Sequence, residues 1–143
     1  MGNVLDDLAD LVSSGGITTT AYKSFLPVSG DEVLGIVETG GFPPLRAMPG
    51  SAGRGGVGAG LIVVERPTVQ ITRRSTSPQR ARAEMSFIYR FLDGVGDRSI
   101  NGTRYNLITA MQPPFPLPDD ESGRKLMVCN FLVEKALTTA TST

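Results

Sequence analysis

The chain has 143 residues, 14 acidic and 14 basic side chains, one cysteine and no histidine. Balanced charge argues against a general nucleic-acid coat or an anionic-membrane binder. The missing histidine removes the commonest general base, the usual catalytic triads and most zinc sites, and the lone Cys129 cannot form an intrachain disulfide. A chain of this length fits one domain that buries roughly 68–70% of its unfolded surface, without a disulfide or metal staple. No apolar run approaches the roughly 18 residues of a membrane span. The N-terminus has neither a basic start nor an apolar signal core. The expectation is a soluble protein made in the cytosol.

Asn3 is placed to cap a first helix, with Val4, Leu5, Leu8, Leu11 and Val12 as its apolar stripe. Asp6, Asp7 and Asp10 belong on the wet side, where acids near the start suit the helix dipole, and Gly15-Gly16 ends the helix. Residues 17–26 carry Thr and aromatic side chains suited to a strand, which Pro27 stops. Ser29-Gly30-Asp31 reads as a turn, and Val33, Leu34, Ile36 and Val37 form a second strand. These two strands make a hairpin or are separated by another strand; both arrangements stay open. Residues 40–60 are rich in Gly and Pro and lack an apolar period, so they form a loop or arm. Within them Gly53-Arg54-Gly55-Gly56-Val57-Gly58 spells G-x-G-x-x-G. No strand precedes it, and a strand at residues 61–64 follows where a phosphate-binding helix should begin.

Residues 65–92 organise the rest. Val69 and Ile71 alternate with Thr68, Gln70 and Thr72, and Pro67, having no amide hydrogen, belongs at the first strand position. Ser77 caps a helix with Pro78 in its first turn. Ala81, Met85, Ile88 and Leu92 recur at helical spacing, Phe87 and Phe91 widen the stripe, and Gly94 ends it. Arg73, Arg74, Arg80 and Arg82 gather where the helix starts. They contact an anionic partner or form a solvated face. Basic charge there opposes the dipole, which favours a carboxylate nearby to offset it. Residues 94–102 read as a turn-rich link with Asn101-Gly102 as a tight turn.

A strand over residues 103–111 puts Tyr105, Leu107 and Met111 on one face and Asn106, Ile108 and Ala110 on the other. The Pro-rich residues 113–118 break regular pairing, and residues 119–123 turn. A long strand over residues 125–137 faces Met127, Cys129, Phe131 and Val133 inward, pairing with residues 103–111 as an antiparallel hairpin. Cys129 is then a small core residue rather than a nucleophile. The sum is an α+β fold: an antiparallel or mixed sheet of four to five strands, two helices packed on one face, and a Gly/Pro-rich arm. Residues 1–137 form one domain and residues 138–143 a flexible C-terminal tail.

An ordered set of segments carries a resemblance. These are Glu65-Arg66-Pro67-Thr68-Val69-Gln70-Ile71, the Ala/Arg-rich helix ending Ile88-Tyr89-Arg90-Phe91-Leu92, and Ile100-Asn101-Gly102-Thr103-Arg104-Tyr105. Gly123-Arg124 and Phe131-Leu132-Val133-Glu134-Lys135 follow. Together they resemble the tail terminator proteins of long-tailed bacteriophages, also described as minor capsid or tail-to-head joining proteins. The resemblance implies a ring, usually a hexamer, at the head-proximal end of the tail tube. Such a ring stops tube polymerisation, docks the head-tail connector and lets DNA pass without sequence-specific binding. It implies a virion location and no catalytic, cofactor or metal residues.

For such a role the candidate oligomer or partner contacts are Arg54, Arg73, Arg74, Arg80, Phe115, Asp119 and Asp120. Phe115 either meets a partner or folds back on the core. Three rivals stand beside this reading. They are a head-completion or neck connector protein, a small enzyme holding a phosphate ligand in the Gly-rich loop, and a nucleic-acid binder using the arginines near Arg73.

Overall fold

The structure, a computed structural model, describes residues 3–46 and 62–136. Helix α1 (Val4–Ser14) begins where the Asn3 side chain accepts the Asp6 N–H at 2.9 Å. Strand β1 (Ala21–Lys23) is followed by two 14-residue strands, β2 (Val33–Arg46) and β3 (Ile62–Ser75). Helix α2 (Pro78–Leu92) starts on Ser77, whose hydroxyl accepts the Arg80 N–H at 3.2 Å. Strands β4 (Val95–Ile100), β5 (Thr103–Ala110), β6 (Phe115–Leu117) and β7 (Lys125–Ala136) complete the described elements. The order across the sheet is β1-β2-β3-β7-β5-β4, with β6 on β7, so among the described residues the sheet has seven strands rather than four to five. Among the described residues only β1 and β2 pair in parallel; every other pair is antiparallel.

Cross-strand register sorts the side chains. Ile36 lies opposite Ile71, Ile71 opposite Cys129, and Val69 opposite Phe131, so these residues share the face that the helices cover. Ala81, Met85, Ile88 and Leu92 of α2, with Leu8 and Leu11 of α1, close one hydrophobic cluster over them. The α1 stripe, the four α2 positions and the inward set Met127, Cys129, Phe131 and Val133 are buried as expected. The end of α1 meets α2 closely: a Cβ on Gly15 would stand 2.8 Å from the Phe91 ring, so a larger residue there would push the helices apart.

The differences from expectation have physical causes. Residues 17–26 yield only the three-residue β1, because β2 offers it a parallel partner over Leu34, Gly35 and Ile36 alone. Residues 40–46, assigned to the Gly-rich loop, extend β2; the rest of that segment, 47–60, lies outside the described residues. Pro67 sits inside β3 rather than at its start. Its partner is Gly41, where a Cβ would lie 2.7 Å from the Arg66 carbonyl oxygen, and the register shifts between Glu38 and Gly40 just beside it. A glycine and a bulge thus accommodate a proline in a long strand. Residues 95–100 form a strand despite lacking alternation, because β4 is an exposed edge that pairs through backbone. Asn101 and Gly102 both have positive φ, as the tight turn requires.

In β5 a register shift between Tyr105 and Leu107 reverses the parity, so Tyr105 and Ile108 are both buried while Leu107 is exposed. Residues 115–117, expected to break pairing, run along β7 as β6, beyond the end of β5. Asp7 is buried, not wet: it accepts from the Tyr105 hydroxyl and from Asn101 Nδ2 at 2.9 Å. Burial, then the Asp7 carboxylate, pushes the Tyr105 phenol well above its usual range. Phe87 does not join the core; it is exposed and stacks on Phe91.

The helix face gives a direct test. Met85 and Ile88 are fully buried, each contributing about 1.5–3 kcal/mol. Met85→Asp places an unpaired charge among them and should abolish soluble expression. A soluble Met85→Asp protein with wild-type circular dichroism would overturn this packing.

Candidate functional site

Two of the sequence-selected charges, Arg73 and Arg80, meet around one carboxylate. Glu32, just before β2, reaches under the start of α2. Its Oε2 accepts from Ser75 Oγ at 3.0 Å, from the Thr76 backbone at 3.2 Å and from Thr76 Oγ1 at 3.2 Å. Arg80 Nη1 lies 3.0 Å from Oε2 and Arg73 Nη1 3.0 Å from Oε1. Burial pushes the Glu32 pKa up, but these donors outweigh it and hold the pKa at about 2. Arg73 is only 1% exposed; its Nε also meets Glu84 of α2 at 2.7 Å, and Thr19 donates to the same Glu84 oxygen. The offsetting carboxylate expected beside the helix start is therefore a pair, Glu32 and Glu84. Arg73 serves inside the chain, tying β3, α2 and the approach to β2.

The sheet's other face carries no helix among the described residues. Register defines its rows. One end row holds Phe42, Arg66, Glu134 and Leu107, with Arg66 stacked over Phe42 at 5.4 Å and 4.0 Å from Glu134. The next holds Thr39, Thr68, Leu132 and Thr109, the two β2/β3 threonines bonded at 2.9 Å. The middle row is Val37, Gln70, Asn130 and Met111. Beyond it lie Tyr22, Gly35, Thr72, Val128 and Phe115, then Val33, Arg74, Leu126 and Leu117. The three inner rows contain no charged residue. Of the exposed large hydrophobics among the described residues, Phe87 alone lies on a helix. Phe42, Leu45, Leu107, Met111 and Leu117 are on this sheet face, and Phe25 and Val28 are on a segment laid over it.

That segment, residues 24–30, is held by two arginines. Arg74 Nη2 donates to the carbonyls of Ser29 at 2.8 Å and Gly30 at 2.6 Å. Arg124 donates to Val28 O and Gly30 O, both at 2.8 Å, while its Nε meets Asp120 at 2.8 Å. Leu26 fits over Gly35, where a Cβ would be 2.9 Å from its Cδ1. Val28 consequently stands 88% exposed on a backbone whose carbonyls are fixed. Burial, then the neighbouring Arg124 charge, lowers the Arg74 pKa.

The remaining candidates are scattered around these features. Arg80 is half exposed beside Glu32. Phe115 is half-buried in β6 opposite Val128, so it folds onto the sheet's open face and not the helix-side core. Asp119 pairs with Lys125 at 2.6 Å, and Asp120 is occupied by Arg124. Arg54 lies outside the described residues. Cys129 is buried, and burial, helped by Asp93, pushes its thiol up to about 11, which leaves almost no thiolate at neutral pH. Sequence reasoning missed Glu32, Glu84 and Arg124. Apart from Asp120, four residues before Arg124, their partners lie 11 to 96 residues away.

Two outcomes follow. The unfolded pKa of Glu32 is 4.5 and the folded value about 2. Its contribution to stability is complete above about pH 4.5 and is lost as pH falls toward 2. The melting temperature of Glu32→Gln should therefore fall less over that window than that of the wild type; equal slopes would remove Glu32 from the account. Arg73→Ala leaves Glu84 without its buried partner. Urea unfolding should show a loss at the low end of about 3–5 kcal/mol, because both carboxylates keep some water.

The sequence model of one protein family, described as bacteriophage tail terminator protein, matches residues 6–136. No curated protein matches the chain. The matched span runs from the first turn of α1 to the last residue of β7 and takes in every later element described above. This chain therefore belongs to the bacteriophage tail terminator family and has a structural role in the phage tail.

Proposed function

We propose that residues 1–137 act as one domain that assembles into a closed ring of about six copies on the head-proximal end of the tail tube. The ring stops tube polymerisation and presents a docking surface to the head-tail connector, and DNA passes through its hole. The observation that carries this reading is the family match over residues 6–136. The surface is compatible with it. Among the described residues the exposed large apolar side chains other than Phe87 gather on one side, a pattern of protein contact. Ring closure requires head-to-tail contacts, and the half-exposed Arg80 and Asp119 are the candidates for them, together with Arg54. Arg73 and Arg74 act through the backbone and helix they hold. Zero net charge fits a lumen that does not retain DNA.

The same chemistry on the other side of the joint, a neck or head-completion protein, is the second reading, and binding separates the two. Light scattering and electron microscopy of the pure protein, alone and with polymerised tail tubes, should show rings of about six copies or rings at one tube end. Capping of tubes supports the terminator role. Binding to connector assemblies but not to tubes would transfer the protein to the neck, and indifference to both would overturn either role.

A further inference from the structure

Asn101 does two jobs, and only one of them needs an amide. It heads the tight turn between β4 and β5, where Ile100 pairs with Thr103 and both Asn101, at φ 51°, and Gly102, at φ 83°, are left-handed. An aspartate serves such a turn as well as an asparagine, since Asp-Gly and Asn-Gly are both favoured there. The second job reaches across the chain. Asn101 Nδ2 donates to Asp7 Oδ1 at 2.9 Å and to Asp10 Oδ2 at 2.8 Å, both on α1. One amide group thus spends its two hydrogens on two carboxylates. Asp7 is fully buried, and its other partner, the Tyr105 hydroxyl, is also neutral. A carboxylate at position 101 would keep the turn, take a donor from Asp7 and set a third negative charge against the pair.

Asn-Gly is also the sequence that makes this change most readily unaided. The backbone nitrogen after an asparagine attacks the side-chain Cγ, and glycine has no side chain to obstruct it. The bond from Gly102 N to Asn101 Cγ forms, the Cγ–Nδ2 bond breaks, and ammonia leaves with the proton of the Gly102 amide. Water then opens the five-membered imide, at Cγ to give aspartate or at the backbone carbonyl to give isoaspartate. A Cβ on Gly102 would meet nothing within 4 Å, so the turn stands open to water. The leaving nitrogen, however, is held by Asp7 and Asp10. Attack on Cγ therefore waits for a local opening that parts the turn from α1.

We propose that Asn101 is a site of spontaneous deamidation guarded by α1, and that the acid it forms weakens the seat of α1. While the helix is docked, its two carboxylates hold the amide. When the helix lifts, the imide forms, and the product repels the carboxylates that the amide had held. The buried stripe Leu5, Leu8, Leu11 and Val12, which closes part of the core, then loses its polar anchor. A subunit that has opened is marked by its own chemistry, with water as the only co-reactant.

Trypsin releases residues 99–104 as one peptide, because Arg98 and Arg104 bound it, and mass spectrometry of that peptide reads the exchange of amide for acid. The isolated full chain, kept in mildly alkaline buffer, should convert Asn101 at least about tenfold more slowly when folded than when unfolded in urea. Asp10→Ala, at an exposed position of α1, removes one of the two acceptors without touching the core, and the folded variant should convert faster than the wild type. Asn101→Asp, which is one product made directly, should melt at a lower temperature than the wild type. Adding Asp10→Asn returns an amide to the cluster and should recover part of that loss. Equal rates in the folded and unfolded chain, an Asp10→Ala rate no faster than that of the wild type, or an Asn101→Asp chain that melts with the wild type would each overturn the proposal. None of these readouts involves rings or tubes, so failure here leaves the terminator reading intact.

Discussion

The structure depends on how one buried positive charge is neutralised. Arg73 points from the centre of the sheet into the layer between sheet and helix, next to Leu34 across the strands and beneath the start of α2. A guanidinium there is tolerable only with carboxylates in contact, because desolvation of an unpaired ion costs far more than a domain's net stability. Glu84 supplies one from the second turn of α2, and Glu32 the other from the approach to β2. Satisfying the charge therefore fixes where α2 begins, how it lies on β3, and where the chain enters the longest strand pair. The basic side chains at the helix start, unfavourable to its dipole on their own, are offset by the same Glu32.

The opposite side of the sheet follows a different rule. Helices cover one face only, so apart from the segment 24–30 at one end the residues that alternate outward on β2, β3, β5, β6 and β7 meet no second layer among the described residues. An antiparallel sheet exposed to water on one side normally alternates apolar and polar cleanly. Here the outward positions include Val37, Leu107, Met111, Leu126, Leu132 and Leu117, and no charge interrupts the centre. Two arginines spend their donors on backbone carbonyls to hold a strap across one end. A tail component needs surfaces that are stable alone and ready for protein contact, and an uncharged face with a rigid strap meets both requirements.

Local chemistry and distant chemistry divide the molecule. Both helices were legible with their caps, because Asn3 and Ser77 act within three residues and the apolar stripes have helical period. The β7 inward set and the Asn101-Gly102 turn were legible for the same reason. The seven-stranded sheet was not. β4 has no apolar alternation to betray it, β6 is a Pro-containing strand held by β7, and β2 runs on through glycines and prolines because β3 pairs with it along its whole length. Nor could Asp7 be known to be buried, since its partners Tyr105 and Asn101 lie more than ninety residues away.

The sequence by itself determined the α+β class, the core faces of α1, α2 and β7, and the ordered segments that resemble tail terminators. These rest on periodicity, capping and composition, which act over a few residues. Only the tertiary structure decided which arginines are buried, which carboxylates neutralise them, and that most of the exposed apolar residues described lie on or over the helix-free sheet face, whose inner rows carry no charge. Those outcomes depend on strand order and register, and a one-residue shift, such as that between Tyr105 and Leu107, moves a side chain from one face to the other.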